Sequence, residues 1–378
     1  MASFFQWFQS ASAVGLEINS SVIRAVELRG RATAPTIVAA GRQSIPAEAV
    51  RDGSIEDPEA VADALQKLWD KAGFRRREVV IGLFNKSILL RLGTLPKAVP
   101  EKKLAQAVRF QADEFFPIPP SQMILEHVVI GERRGDKGDE WELLLIGARK
   151  EGLEKPLAAL QQANLEPIII DSSPFALMRV LTESQRKGTT LLIDLAPGLT
   201  TFLLLVDGIP RFARPLSQNL LDLNIDGRLA QVLGQPKPQP IESQWQGLLS
   251  PSSSSARQSV GEQQIATTTI QWPGEEAFQV TDPLQEWATT LANQMRSTLG
   301  YYMTQNELTN VNQIVLGGLG ATFPGLVEAL KRELDAPLSL VDPLQKLTGN
   351  VQVQGLDLER EGAEFSTAIG LALRGLED

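Results

Sequence analysis

The chain has no cysteine and a single histidine, His127, among its 378 residues. The missing thiols exclude disulfide scaffolds, thiolate zinc sites, iron–sulfur clusters and cysteine nucleophiles. One histidine cannot supply a two-histidine metal motif such as HExxH. Nor does His127 have a serine to serve, because no G-x-S-x-G elbow occurs, and it reads as an ordinary strand residue. Basic residues are outnumbered, 36 against 45 acidic, and the net charge of −9 argues against a nucleic-acid partner, whose phosphates demand a basic field. No apolar run approaches the ~18 residues of a membrane span, so no direct span is expected. What is plentiful is apolar material, 43% of the chain, enough for proper cores in two to three domains at the usual ~150 residues each. Such a chain is expected to be soluble and cytoplasmic, with chemistry resting on carboxylates, hydroxyls and backbone amides.

The aromatics Phe4, Phe5, Trp7 and Phe8 form no secretory signal. They make either a short amphipathic contact to a membrane or partner, or a self-packed chain end. Beyond them, Ala13–Ile18 and Val22–Leu28 read as strand, tight turn, strand. Asp57-Pro58 opens a helix carrying Val61, Leu65, Leu68 and Ala72 on one face. Strands follow at Glu78–Gly82 and Ile88–Leu92. A helix with Leu104, Val108, Ala112 and Phe115 on one face ends before Pro117-Ile-Pro-Pro120. Met123–Ile130 and Trp141–Ile146 read as a hairpin across a charged loop, Glu132–Glu140. Further on come a helix at Leu153–Asn164, a strand at Ile168–Ile170 ending in Asp171, and a helix at Pro174–Thr182. Asp171 is a candidate acid by position, or else part of that helix's cap. From Gln235 the chain turns rich in proline, glutamine and serine until about Asp282, which reads as a flexible insertion. Pro283 then opens a long helix with Leu284, Trp287, Leu291, Met295, Leu299 and Tyr302 on its core face.

Two distant segments repeat one pattern. Val14-Gly-Leu-Glu17, a small-residue turn through Ser21 and a strand to Leu28 correspond to Leu191-Leu-Ile-Asp194, a turn through Leu199 and a strand to Val206. Each is an apolar strand ending in an acid, a tight turn and a return strand, which points to an internal duplication with one copy per lobe. Such a turn can aim several backbone amides at one anion, and an acid beside it can hold magnesium directly or through water. A third element, Gln313-Ile-Val-Leu316 running into Gly317-Gly318-Leu319-Gly320, lets backbone approach a flat ligand closely. The glycine loop lacks the third glycine of a dinucleotide fingerprint, and no P-loop motif occurs.

Together these elements resemble the actin, Hsp70 and sugar-kinase superfamily. Within it the chain is similar to the PilM family of type IV pilus assembly proteins, relatives of the division protein FtsA. Residues 14–28, Asp113-Glu-Phe-Phe-Pro-Ile-Pro119, Gly147-Ala-Arg-Lys-Glu151, Asp171-x-x-Pro174-Phe-Ala-Leu177, Leu316–Leu326 and Phe365–Leu373 carry the resemblance over about 90% of the chain, the serine-rich insertion apart. It implies an α/β, actin-like (ribonuclease H-like) two-lobed fold with an inserted β-α-β (SHS2-like) subdomain. The first lobe would comprise 11–93 and 168–186, the inserted subdomain 94–167, the second lobe 187–216 and 309–378, and a helical subdomain 217–308 with the insertion at about 235–282.

By position, the resemblance puts Glu17, Asn19, Ser20, Ser21 and Arg24 at a first phosphate loop and Asp194, Gly198 and Thr200 at a second. Gly317, Gly318 and Gly320 would lie near adenosine, and Glu17 and Asp194 would hold Mg2+. The departures are Glu17 for an aspartate, Asn19 for a glycine, Arg24 for a lysine, Ala196 for a glycine, Pro197 beside it, and Ser217-Gln218 for a glycine pair. Proline donates no amide and a methyl group crowds a phosphate, so ATP with Mg2+ is expected to bind weakly or not at all, with slow turnover at most. The resemblance further implies an adaptor on the cytoplasmic face of the inner membrane. It would bind the N-terminal cytoplasmic peptide of the membrane protein PilN in a groove beside the extra subdomain, as part of a PilN/PilO complex linking the platform protein to the pilus motor ATPase. The alternative is an active actin-fold ATPase or small-molecule kinase, for which no catalytic acid stands out. An FtsA-like filament former would end in an amphipathic membrane helix, for which Arg374–Asp378 leaves no room.

Overall fold

The computed structural model describes residues 11–136, 138–223, 282–306, 310–348, 353 and 356–377. The N-terminal aromatics and nearly all of the proline- and serine-rich insertion lie outside the described residues. The chain opens with β1 (Ser12–Ile18), β2 (Val22–Arg31) and β3 (Ala34–Ser44), a short hairpin β4 (Val50–Arg51) and β5 (Ser54–Ile55), α1 (Pro58–Ala72) and β6 (Glu78–Leu83). Next come β7 (Ile88–Pro96), α2 (Leu104–Phe110), α3 (Ala112–Phe115), β8 (Met123–Gly135) and β9 (Gly138–Arg149). Then follow α4 (Glu151–Gln162), β10 (Glu166–Ser172), α5 (Ser173–Arg179), α6 (Glu183–Arg186), β11 (Thr189–Ala196), β12 (Leu199–Val206) and β13 (Ile209–Leu216). The remainder is α7 (Pro283–Asn306), β14 (Gln313–Gly317), α8 (Leu326–Glu333), β15 (Leu338–Leu340), α9 (Leu358–Glu361) and α10 (Ser366–Arg374).

Two five-stranded sheets have the same topology. One runs β3-β2-β1-β6-β10 and the other β13-β12-β11-β14-β15. In each, an antiparallel meander is extended by two parallel strands. The duplication visible in the two hairpins is therefore a duplication of whole sheets, and the fold is α/β and actin-like. The central strands β1 and β11 are buried almost end to end, as strands covered on both faces are. The β12–β13 turn is Asp207-Gly208 with φ of 51° and 77°, the tight two-residue turn whose twist matches paired strands. Helix α1 is fixed at both ends: the Asp57 carboxylate accepts from the amides of Glu59 and Ala60, Pro58 follows it, and Gly73 closes the helix at φ 72°.

The third sheet, β7-β9-β8, is antiparallel and carries its own core of Leu95, Leu104, Val108, Phe116, Met123 and Leu145 under α2 and α3. Two details differ from the sequence reading. The helix expected from Leu104 to Phe115 is interrupted at Gln111, where ψ is 11°. The charged segment 132–140 is strand rather than loop up to the Gly135–Gly138 pair. There Arg133 stands across from Glu140 at 3.0 Å, and Lys97 pairs with Glu132, so alternating charges stabilise the ladder while staying wet.

The expectation that 309–378 groups wholly with the second lobe also needs amendment. Helix α10 packs on β1, β2, β6 and α5, all part of the first sheet's assembly. Gly15 on β1 permits this, because a side chain there would overlap the backbone of Ala368 and Ala372. Helix α7 buries Leu284, Trp287, Leu291, Met295, Leu299 and Tyr302 in the second core, as its spacing requires.

Candidate functional site

Residues 17–24 form the first expected loop. Glu17, one residue before the end of β1, stands directly across from Arg24 on β2. The turn closes through the Asn19 amide, which donates to the Val22 carbonyl at 3.0 Å, while Asn19 Nδ2 donates to Glu17 Oε1 at 3.0 Å. Arg24 is only 1% exposed and needs partners. Its Nε and Nη2 donate to Glu364 Oε2 at 3.2 and 3.0 Å, and its Nη1 lies 3.7 Å from Glu17 Oε2. Arg42 on β3 extends the network, pairing with the other Glu364 oxygen and with Glu361 at 3.0 Å. Burial pushes the Glu17 carboxyl above its ordinary range, the Glu364 charge adds to that, and Arg24 and Asn19 pull against it.

The second loop lies on β11 and β12. Asp194, on β11, is also buried and sits opposite Thr201. Burial and the Glu17 charge push it up to about 7, with Arg24 opposing. Gly198 takes the turn at φ 81°, a conformation that favours glycine. Its amide donates to Asn219 Oδ1 at 3.0 Å, and that oxygen also accepts from Leu221 N at 2.9 Å. Glu17 Oε2, Ser20 Oγ, Asp194 Oδ1 and Thr200 Oγ1 are buried without a hydrogen-bond partner. Ser21 lies buried in the first turn.

The glycine loop closes against protein. A side chain at Gly317 would meet Leu177, one at Gly318 would overlap Asp194 and the Leu195 carbonyl, and one at Gly320 would overlap Leu195. All three are buried, and their bare α-carbons allow this loop to pack on β11.

The structure thus brings the predicted residues to one interlobe seam, where the two turns touch. The Ser20 amide donates to the Pro197 carbonyl at 3.3 Å. Val22 of the first hairpin belongs to the second lobe's core, and Leu199 of the second packs on the first lobe's core. The cavity left among Glu17, Asn19, Gly82, Asp194, Ala196 and Thr201 measures about 20 Å3, room for about one water. A nucleoside triphosphate does not fit these residues as arranged, because the cavity holds about one water and the Asn19, Ser20 and Gly198 amides are engaged within the chain, leaving the Ser20 and Thr200 hydroxyls as unpartnered donors. Two carboxylates remain for a cation, and no group of three or more His, Cys, Asp or Glu occurs among the described residues. Magnesium held by so few protein ligands normally depends on substrate phosphates.

Asp171 is no free acid: Arg179 pairs with it at 2.5 Å, and it accepts from the Ser172 amide at 2.8 Å. It does not cap the following helix, whose N-cap is Ser172. His127 faces Leu145 across the β8–β9 ladder, an ordinary strand position. Sequence reasoning missed Glu364, Arg42 and Asn219. The available signal for Glu364 was Arg24 itself, an arginine inside an apolar strand that demands a buried carboxylate.

A second concavity lies on the inserted sheet. It measures about 390 Å3 and is lined by Arg109, Pro120, Met123, Ile124, Leu125 and Lys150. Strand β8, which supplies three of these, is the outer strand of its sheet, so one edge of its backbone is unpaired. Ile124 is 43% exposed beside it, and Lys150 Nζ donates to the Ser121 carbonyl at 2.8 Å.

A family model described as Type IV pilus assembly protein PilM matches residues 15–215 and 258–376. Among solved structures, the chain is similar to one from a PilM–PilN type IV pilus biogenesis complex, with a TM-score of 0.72, 24% identity, and coverage of 97% of this chain and 99% of that one. It is also similar to the ethanolamine utilization protein EutJ from Carboxydothermus hydrogenoformans, at TM-score 0.47 and 12% identity over 96% of this chain and 89% of that one. A third match is the cytoplasmic domain of EpsL, an inner-membrane component of the Vibrio cholerae type II secretion system, at TM-score 0.37 and 11% identity over 56% and 74%. Among the described residues no helix is long and apolar enough to cross a membrane.

Proposed function

The chain belongs to the type IV pilus assembly protein PilM family, and from that membership we propose that it is an adaptor that captures the N-terminal cytoplasmic peptide of a PilN-type membrane protein. The observation that carries this reading is the groove on the free edge of β8. An extended peptide can add its backbone to such an edge while apolar side chains enter the pocket over Met123, Ile124 and Leu125. Arg109 and Lys150 at the rim supply donors for peptide carbonyls. The segment 94–167 is then the recognition unit, and the two lobes are the platform that holds it. Membrane association comes through the partner, which places the chain on the cytoplasmic face of the inner membrane beside a PilN/PilO complex, the platform protein and the motor ATPase.

ATP with Mg2+ is secondary in this reading. Asn19, Ala196 and Pro197 weaken or abolish its binding, and peptide capture uses none of them. The test is a pull-down with the immobilised PilN N-terminal peptide. Retention of the full chain, and its loss in Ile124→Asp, is the expected result. No retention at tens of micromolar defeats the reading.

A further inference from the structure

Three facts at the interlobe seam concern a ligand-free function of the duplicated hairpins. The first is that three amides of the two turns are already used within the chain. Asn19 N–H is bound to Val22 O, Ser20 N–H to Pro197 O, and Gly198 N–H to Asn219 Oδ1. Residue 197, being proline, has no amide to give. The second is that the turns are in van der Waals contact, because even a methyl group on Gly198 would overlap Ser20 Oγ. The third is that each hairpin inserts an apolar residue into the other lobe, Val22 into the second core and Leu199 against the first.

Asn219 is itself held firmly. Its Nδ2 donates to Ser217 O at 2.8 Å, its Oδ1 accepts from Leu221 N, and its backbone amide donates to Asp222 at 2.9 Å. Its carboxamide oxygen is thus a fixed acceptor in front of the second loop, and an incoming phosphate oxygen would have to displace it. Opening the seam for a triphosphate would also expose Val22 and Leu199 and break the Ser20–Pro197 bond. The cost falls on both hairpin turns.

We infer that this chain closes its interlobe clamp with its own residues, Asn219 and the Ser20–Pro197 and Val22–Leu199 contacts standing in for a nucleoside triphosphate, so that the lobes are fixed without nucleotide. Ala196 in place of the expected glycine, with Pro197 beside it, is then part of a built closure rather than loss alone. The inference is independent of peptide capture, and failure of the pull-down above leaves it standing.

The experiment has two arms on the full chain. The first titrates it with Mg-ATP and with Mg-ADP by calorimetry and follows thermal unfolding in about 1 mM of each nucleotide. No saturable heat and no shift of the unfolding temperature are expected. Micromolar binding, or a rise of several degrees, overturns the inference. The second arm measures amide hydrogen exchange by NMR at Ser20 and Gly198. Both amides should be protected to the level of neighbouring β11 amides and unchanged by nucleotide. Exchange at the rate of an open loop, or protection that appears only with Mg-ATP, contradicts it.

Discussion

Arg24 links the residue-scale chemistry of both lobes. It holds Glu364 through two hydrogen bonds and faces Glu17, and all three are nearly inaccessible. Removing one partner of a buried pair leaves an uncompensated charge, typically worth about 3–5 kcal/mol. Arg24→Met should therefore lower the unfolding free energy by about that much in urea denaturation, and adding Glu364→Gln should recover part of it. A second expectation concerns pH. The Asp194 carboxyl is raised in the folded chain from 3.8 to about 7, so the folded state holds a proton that the unfolded chain has released. The stabilisation is complete below about 4 and is lost as pH rises through about 7, with a slope of at most about 1.4 kcal/mol per pH unit. Asp194→Asn should flatten that part of the stability curve, and an unchanged slope would refute the assignment. At this scale the acids at the ends of the two strands were legible, because an acid closing an apolar run is conspicuous. Glu364 was not, since its pairing with Arg24 spans 340 positions and leaves no local pattern.

Secondary elements were more readable than their mutual packing. The apolar runs of β1, β2, β11 and β12, the cap at Asp57 and the stripe on α7 each follow from local sequence, and each formed. Asp57→Ala should lower stability by about 1 kcal/mol, read as a shift in the urea midpoint, because two amide bonds to its carboxylate disappear. The placement of α10 is a tertiary matter. Its sequence marks an apolar helix but not which sheet receives it, and the answer lies in the glycine of a distant strand. Gly15→Ala would drive a methyl group into the Ala368 and Ala372 backbone. A cost of about 1–3 kcal/mol is expected, as for other overpacked cores, visible as a lower unfolding temperature. The same substitution at Gly73, where an added methyl would meet nothing within 4 Å, tests only the left-handed helix end. The charged segment 132–140 shows the opposite failure, since polar composition suggested a loop where cross-strand charge pairs sustain a ladder.

At the scale of the whole molecule, two similar sheets meet at a sealed seam and carry a third sheet with an open edge. The duplication was legible because its two hairpins repeat the same order of acid, small turn and return strand. The groove was not, because its walls come from residues 109, 120–125 and 150, which no single spacing relates. The sealed seam and the open edge lead to one central claim, that the chain works by capturing a peptide and needs no nucleotide to do so. The direct measurement is fluorescence anisotropy of a labelled PilN N-terminal peptide titrated with the full chain, without nucleotide and again with Mg-ATP. The account predicts saturable binding at tens of micromolar or tighter, the same in both conditions, and about tenfold weaker for Ile124→Asp. Binding that requires Mg-ATP, or no saturable binding by the folded wild-type chain, would contradict it.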